Sequence, residues 1–404
     1  MRILLLGEYS NVHNNLAYGL RALGHEVVTA NNGDYWKHFD SDINLSRWVT
    51  HETGWRARLQ NAIHFIPFVC RLIPGLLRMQ NFDVVQLINP IFLELKAERH
   101  FSIYRYLRKH NKKIVLGAMG DDYYFCHINH TLKPMRYSDY NIGSTERMTD
   151  FAHWTYYDEV GTEKERLCRM IAHDCDAIVS GMYEYWLPYS MTEDKDKNGK
   201  LLREKLLNIP FPIKSEDVGR GEDNCKEESY CEEDYGREDS NTTKPIKVFV
   251  GVSKERAVFK GTDILLQAAK ELQHKYPGRI ELRIAEGIPF AEYQKMMDSS
   301  DVLLDQIYSY GPGMNALLAM SKGIIAVSGG EPEYYDLMGE HDCRSIINVE
   351  PTYDSVYHQL ENLILHPERL QKLKSESRRY IMRNHDAIKV AQQYEKLYQR
   401  LCEE

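Results

Sequence analysis

The sequence predicts an α/β protein of two domains, each built on a parallel sheet, and three observations predict it. A chain of 404 residues exceeds what a single core serves efficiently, so two domains are expected. Short apolar runs alternate with longer amphipathic segments, the grammar of strands joined by crossover helices. The second half of the chain then repeats the pattern of the first.

In the first half, the runs at 3–6, 26–30, 84–88, 113–118 and 177–180 read as buried strands. After the first of them, Val12, Leu16, Leu20 and Leu23 recur at helical spacing and predict an amphipathic helix over 12–23. In the second half, strands are expected at 247–250, 280–285, 302–304 and 324–327, with helices at 262–276, 290–299 and 314–321.

Composition narrows the function classes. With 43% hydrophobic and 27% charged residues, the chain falls in the ordinary globular range. A formal net charge of -8 argues against a nucleic-acid partner, because phosphate backbones are bound by basic surfaces. The eight cysteines include no C-x-x-C pair and read as reduced thiols, which points to the cytoplasm. The opening run MRILLLG is too short for a signal peptide. The apolar stretch 63–77 is broken by Pro67, Arg71, Pro74 and Gly75 and falls short of a spanning helix.

Between the halves, residues 214–243 carry eleven acidic and four basic side chains, which accounts for -7 of the chain's -8. Such a segment buries too little apolar area to offset its ordering entropy and reads as a mobile insertion. Its Cys225 and Cys231 lack companion ligands and read as incidental thiols.

Three segments have the layout of an anion-binding cleft. The first, ILLLGEYSNVH, ends a strand at Gly7 and opens a helix whose amides attract an anion, making Gly7, Asn11 and His13 cleft residues. The G-x-G-x-x-G fingerprint is absent, and any α/β protein needs a first loop. In the second, a strand ends at Gly251 and a basic loop carrying Lys254, Arg256 and Lys260 leads into a helix. That is where ligands of open α/β sheets sit, although three cations also solvate a loop. In the third, a Gly-Pro-Gly turn exposes the amides of Gly313, Met314 and Asn315 at a helix start, a second anion cradle. The apolar stretch 317–320 reads as packing.

These motifs resemble the retaining glycosyltransferases of family 4, whose carboxyl half carries G-R-x-x-x-x-K-G, E-P-F-G-x-x-x-x-E-A-M-A-x-G and G-G-x-P-E. Upstream, LAYGLRALGHEV, FDVVQLINP, CDAIVSGMYEYW and NIPFPI resemble the family's amino half and joint, and HDAIKVAQQYEKLYQRL resembles its last helix. The resemblance implies the GT-B architecture: two Rossmann-like domains with parallel sheets facing across a cleft. It divides the chain into an acceptor domain (1–207), a joint with the acidic insertion (208–244), a donor-binding domain (245–384) and a helix returning to the first domain (385–404).

By the same resemblance Lys260 holds the donor diphosphate with either Arg256 or Lys254, residues 313–315 form the phosphate-binding turn, and Gly329, Gly330 and Glu333 match G-G-x-P-E. The family's two donor-binding carboxylates are replaced here by Tyr310 and Leu318. Tyr310 offers a phenol at that place, and Glu331 and Glu333 are nearby substitutes. The family's H-G-x-D setting reads Met119-Gly120-Asp121-Asp122. Either acid there orients a substrate hydroxyl or caps a helix, and at most one faces the cleft.

The implied activity is transfer of a sugar, with retention, from a nucleotide-diphosphate sugar to a saccharide or lipid-linked hydroxyl in cell-surface polysaccharide synthesis. The nucleotide sugar is a co-substrate, and no cofactor or metal is expected. Two alternatives stay open: an idle GT-B-like binding or scaffold protein, and a sugar-nucleotide epimerase. Residues 54–79 combine apolar bulk with Arg56, Arg58, Arg71 and Arg78. They either rest on an anionic membrane, on the inner face of the plasma membrane, or pack as a helix against the first sheet.

Overall fold

A computed structural model describes residues 1–34, 37, 39–47, 54–214 and 244–404. The acidic segment with Cys225 and Cys231 lies outside the described residues. The first half contains β1 (Arg2–Leu6), β2 (Glu26–Asn31), β3 (Ile43–Asn44), β4 (Val84–Leu87), β5 (Lys113–Ala118), the antiparallel hairpin β6–β7 (Asn141–Ile142, Thr145–Glu146), β8 (Ala177–Ser180) and β9 (Leu206–Asn208). Its helices are α1 (Val12–Ala22), α2 (Trp55–Arg78), α3 (Ala97–His110), α4 (Tyr123–Thr131), α5 (Asp150–Glu159), α6 (Glu163–Asp174) and α7 (Tyr183–Met191).

Apart from the hairpin, these strands form one sheet in the order β3-β2-β1-β4-β5-β8-β9, parallel throughout. Residues Ile3 to Leu6 of β1 are fully buried, as a strand covered on both faces by helices must be. Val12, Leu16 and Leu20 bury one face of α1.

The second half contains β10 (Ile246–Val252), β11 (Ile280–Glu286), β12 (Val302–Leu304), β13 (Ile325–Ser328) and β14 (Ile347–Asn348), in the order β11-β10-β12-β13-β14. All four pairings are parallel. Its helices are α8 (Ala257–Lys260), α9 (Thr262–Lys275), α10 (Phe290–Asp298), α11 (Met314–Ser321), α12 (Pro332–Met338), α13 (Tyr353–Leu365), α14 (Leu370–Asn384) and α15 (Ala387–Glu403).

Alternate residues of this sheet serve different cores. Val248, Val250, Val302, Leu304, Ile325 and Val327 face one cluster with α9 and α13. Phe249, Leu303 and Ala326 face the other, which continues into the first domain. The two-residue period of a strand divides them.

Helix α15 lies back on the first domain against α1. A Cβ on Gly19 of α1 would stand 2.1 Å from the Ala387 carbonyl oxygen, so the close crossing depends on that glycine. Two hydrogen bonds fix the contact, His25 Nε2 with Glu395 Oε1 at 2.8 Å and Tyr398 OH donating to Gln86 Oε1 at 3.2 Å. The two sheets are thereby held on either side of a cleft.

Candidate functional site between the domains

The carboxyl ends of the strands face a cavity of about 1480 Å³, lined by Ser10, Asn11, Asp34 and Lys37 from the first domain and by the loops after β10, β11 and β12 from the second. Strand β10 runs through Gly251, where a Cβ would strike the Tyr293 ring at 2.6 Å. The chain then turns through Lys254 and Arg256 into the single turn α8. Gly261 ends that turn with φ 74°, a left-handed conformation that favours glycine, and a Cβ there would meet Ile307 at 2.3 Å. The break brings Lys260 to the cavity wall instead of continuing it into α9.

Lys260 and Arg256 line the cavity. Burial holds the Lys260 ammonium below its usual pKa, while the Asp305 carboxylate favours the charged form and Arg256 and Lys37 oppose it. Neither Lys260 nor Arg256 has an ion-pair partner among the described residues. The Arg256 guanidinium sits 5.0 Å from the Phe151 ring centre and 5.5 Å from that of Phe259, and its Nε is buried without a partner. Of the other lining cations, Lys37 pairs with Asp34 at 2.6 Å, Lys254 with Glu286 at 3.2 Å and Lys322 with Asp298 at 2.6 Å, while Lys214 stands over the Tyr18 ring, 4.8 Å from its centre. Of the two candidate companions, Arg256 is the one whose charge acts on Lys260, whereas Lys254 is exposed and paired with Glu286.

Met314 and Asn315 at the start of α11 also line the cavity, and no side chain caps that helix end. Gly313 is its N-cap, so the helix presents amides toward the cavity. Asn315 accepts from Tyr293 OH at 3.1 Å and donates to Asp305 at 3.4 Å. Leu318, one turn on, is apolar wall. Phe39 meets Phe290 edge to face at 6.1 Å, and Phe290 lies nearly parallel to Tyr293, so an aromatic patch forms another part of the lining.

The first loop differs from its expectation. The amide donors opening α1 are met by the chain's own Glu8, whose carboxylate accepts from His13 N at 3.3 Å and Asn14 N at 2.9 Å. Burial pushes Glu8 up to about 8. His13 is buried, donates from Nδ1 to the Gly7 carbonyl at 2.8 Å, and burial lowers it to about 4. Gly7 packs so tightly that a Cβ would meet Ile88 at 2.3 Å. Gly7 and His13 are therefore packing residues, not cleft residues, and only Asn11 of the three reaches the cavity.

Asp122 is a helix cap. It accepts from Phe125 N at 2.9 Å and from Tyr189 OH at 2.7 Å, and burial raises it to about 6. Asp121 does not line the cavity but lies within the field of Arg256, which opposes the rise that burial causes. Asp139 shares that field and is pushed to about 8, by burial first and by Asp121 second.

Tyr310, Gly330, Glu331 and Glu333 also leave the cavity. Tyr310 is buried between domains, stacked on Tyr183 with centroids 5.3 Å apart, and its hydroxyl accepts from Arg136 N at 2.7 Å. Glu331 and Glu333 both bind the Arg136 guanidinium, and Glu331 also accepts from Tyr137 OH and from Asn348 Nδ2. Gly330 N donates to Asn348 Oδ1 at 2.8 Å. From the first domain, Glu184 accepts from the Ser309 hydroxyl and the amides of Tyr310 and Gly311. These residues fasten the two domains together by supplying donors to buried carboxylates, although Glu184 Oε2 is buried without a partner among the described residues.

Arg136, Glu184, Asp139, Asp305 and Glu8 carry no sequence motif that singles them out. Two of them had a positional signal: Asp305 directly follows a strand, and Glu8 stands between a strand-end glycine and a helix.

No family model matches the chain, and no curated protein matches it. Solved structures do. Sucrose-phosphate synthase from Thermosynechococcus elongatus is 12% identical with a TM-score of 0.55, over 99% of each chain. HepE from Anabaena in complex with UDP-glucose is 11% identical with a TM-score of 0.54, over 99% of this chain and all of that one. The catalytic domain of starch synthase IV from Arabidopsis thaliana, bound to ADP and acarbose, is 11% identical with a TM-score of 0.52, over all of this chain and 99% of that one. The fold is GT-B.

Proposed function

We infer that the protein is a nucleotide-sugar-dependent glycosyltransferase whose donor diphosphate is held by Lys260, Arg256 and the amino end of α11. One observation carries this reading: two cations without ion-pair partners among the described residues and a helix start without a side-chain cap share one cavity between the domains. An anion entering there restores the charged form of Lys260 that burial disfavours. The Asp305 carboxylate partly offsets that effect of burial before the donor arrives. The patch of Phe39, Phe290 and Tyr293 offers a face for the base.

As the glycosidic bond breaks, negative charge grows on the leaving diphosphate. Lys260, Arg256 and the α11 amides then stabilise the transition state more than the ground state. Side-chain cations supply this compensation in the place of a metal. We extend the reading to retention of configuration, with the leaving phosphate as base for the acceptor hydroxyl, to a saccharide or lipid-linked acceptor, and to cytoplasmic synthesis of cell-surface polysaccharide. The similarly folded HepE, in complex with UDP-glucose, supports the donor class.

A second reading has its own observation. The place where the resemblance puts donor-sugar contacts is occupied by Tyr310 and by Glu184 on the adjacent amides, as expected of a relative that binds nucleotide without turning it over. A thermal-shift panel of nucleotides and nucleotide sugars tests both, since a ligand at 100 times its Kd adds about 2.7 kcal/mol to native stability. A shift with donor consumption in the presence of acceptor supports transfer. A shift with none supports the binding protein, and interconversion without acceptor identifies an epimerase. No shift with any member sinks the cavity assignment.

A further inference from the structure

Helix α2 has two apolar faces, and only one of them meets the protein. Ala57, Phe68 and Gly75 are buried against the fold. On the opposite side Trp55, Leu59, Ile63, Ile66, Ile73 and Leu77 are 53% to 70% exposed. Their spacing keeps them on one stripe along the helix. The described residues include fifteen exposed large hydrophobic side chains, and this single helix holds six of them. Isolated exposed apolar residues need no explanation, but a continuous stripe marks an interaction surface.

Charge selects the partner. The helix contains Arg56, Arg58, Arg71 and Arg78 and not one acidic residue, a net +4 in a chain of net -8. Arg56 and Arg78 each follow a stripe residue by one position, while Arg71 donates to the Ser46 carbonyl of the first domain. At 1.5 Å per residue the 24 residues reach about 36 Å. No described helix is long and apolar enough to cross a membrane, and Pro67 and Pro74 stand inside this one.

We propose that α2 is an in-plane docking helix for anionic lipid, with the stripe sunk into the headgroup boundary and Arg56, Arg58 and Arg78 on lipid phosphates. A second copy of the chain is a poorer occupant, because pairing two such helices sets arginine against arginine with no carboxylate between. The acidic segment 214–243 complements the charge, but Val218 is its one aliphatic residue, so it has nothing to lay on the stripe. The proposal stands apart from the glycosyltransferase reading and commits only to the surface the protein works on.

The test is co-sedimentation of the full chain with vesicles of phosphatidylcholine, with and without phosphatidylglycerol. The expected result is binding to the anionic vesicles only, weakened by salt. Ile63→Glu/Ile66→Glu should lower that binding at least about tenfold, and Arg56→Glu/Arg58→Glu should lower it similarly. These side chains are exposed, so melting temperature and nucleotide-induced shift should stay at the parent's values, which also separates this failure from failure of the cavity. Ile142→Glu, on another exposed apolar residue, should change nothing. No binding to anionic vesicles, or binding that the α2 variants leave intact, overturns the proposal. So does a concentration-dependent dimer abolished by Ile63→Glu/Ile66→Glu.

Discussion

The cavity and the interdomain fastening are two regions of one cleft built from similar residues, and they treat charge oppositely. In the cavity, Lys260 and Arg256 form no ion pair among the described residues, although Asp305 lies near enough to Lys260 to favour its charge. In the fastening, Arg136 meets Glu331 and Glu333, and Glu184 meets a hydroxyl and two amides. Unpaired buried charge costs stability and is kept where a ligand supplies the partner. Paired buried charge secures geometry. The difference teaches which side of the cleft awaits an anion and which has its cation already paired.

Four variants break or sharpen this contrast. Lys260→Ala is expected to cost about 3 kcal/mol of barrier, roughly a hundredfold in kcat/KM, by analogy with loss of one oxyanion donor. Its unfolding free energy should hold or rise, because no ion pair is lost. Donor-consumption kinetics at unchanged turnover would remove the assignment.

Arg136→Ala should do the reverse. It deprives the buried Glu331 of its cation, while Tyr137 and Asn348 stay, so a loss of about 2 kcal/mol is expected in urea unfolding. Nucleotide-induced shifts measured on the folded variant should persist.

Glu8→Gln separates the first loop from both. Glu8 is raised from 4.5 to about 8. Its contribution is therefore fully present below pH 4.5 and is lost as pH rises toward 8, because the unfolded chain releases the proton first. The slope is at most about 1.4 kcal/mol per pH unit. Subtracting variant from parent stability across that window should expose this decline, and a flat difference contradicts the buried, protonated Glu8.

Tyr310→Phe is the mildest. It removes the acceptor of the Arg136 amide and should cost about 1 kcal/mol, with nucleotide affinity unchanged. A clear loss of affinity in a binding titration would return Tyr310 to the donor site.

Much of the fold was legible. Buried strands reveal themselves by unbroken apolar runs such as Ile3 to Leu6, and α1 by its apolar residues one turn apart, because the backbone period is imposed locally. The Lys260-Gly261 step was legible for a similar reason: a glycine after a strand and a basic loop marks a turn into a helix. Asp122 was half legible, since a cap and a substrate ligand share one residue type. Arg136 was not, because its partner Glu333 lies 197 residues away. Glu8 was missed because its carboxylate fills the helix start that a ligand was expected to fill.

By itself the sequence determined the alternation of strand and helix, the start of a helix after Lys260-Gly261, and the supply of cations near the strand ends. These are decided within a few residues, by sterics and by the burial of apolar side chains. Only the tertiary structure decided which cations are paired, which carboxylates cap helices, and which face of α2 is left outward. Pairing and burial depend on distances between residues remote in the chain, and electrostatic energy changes steeply with separation and with access to water.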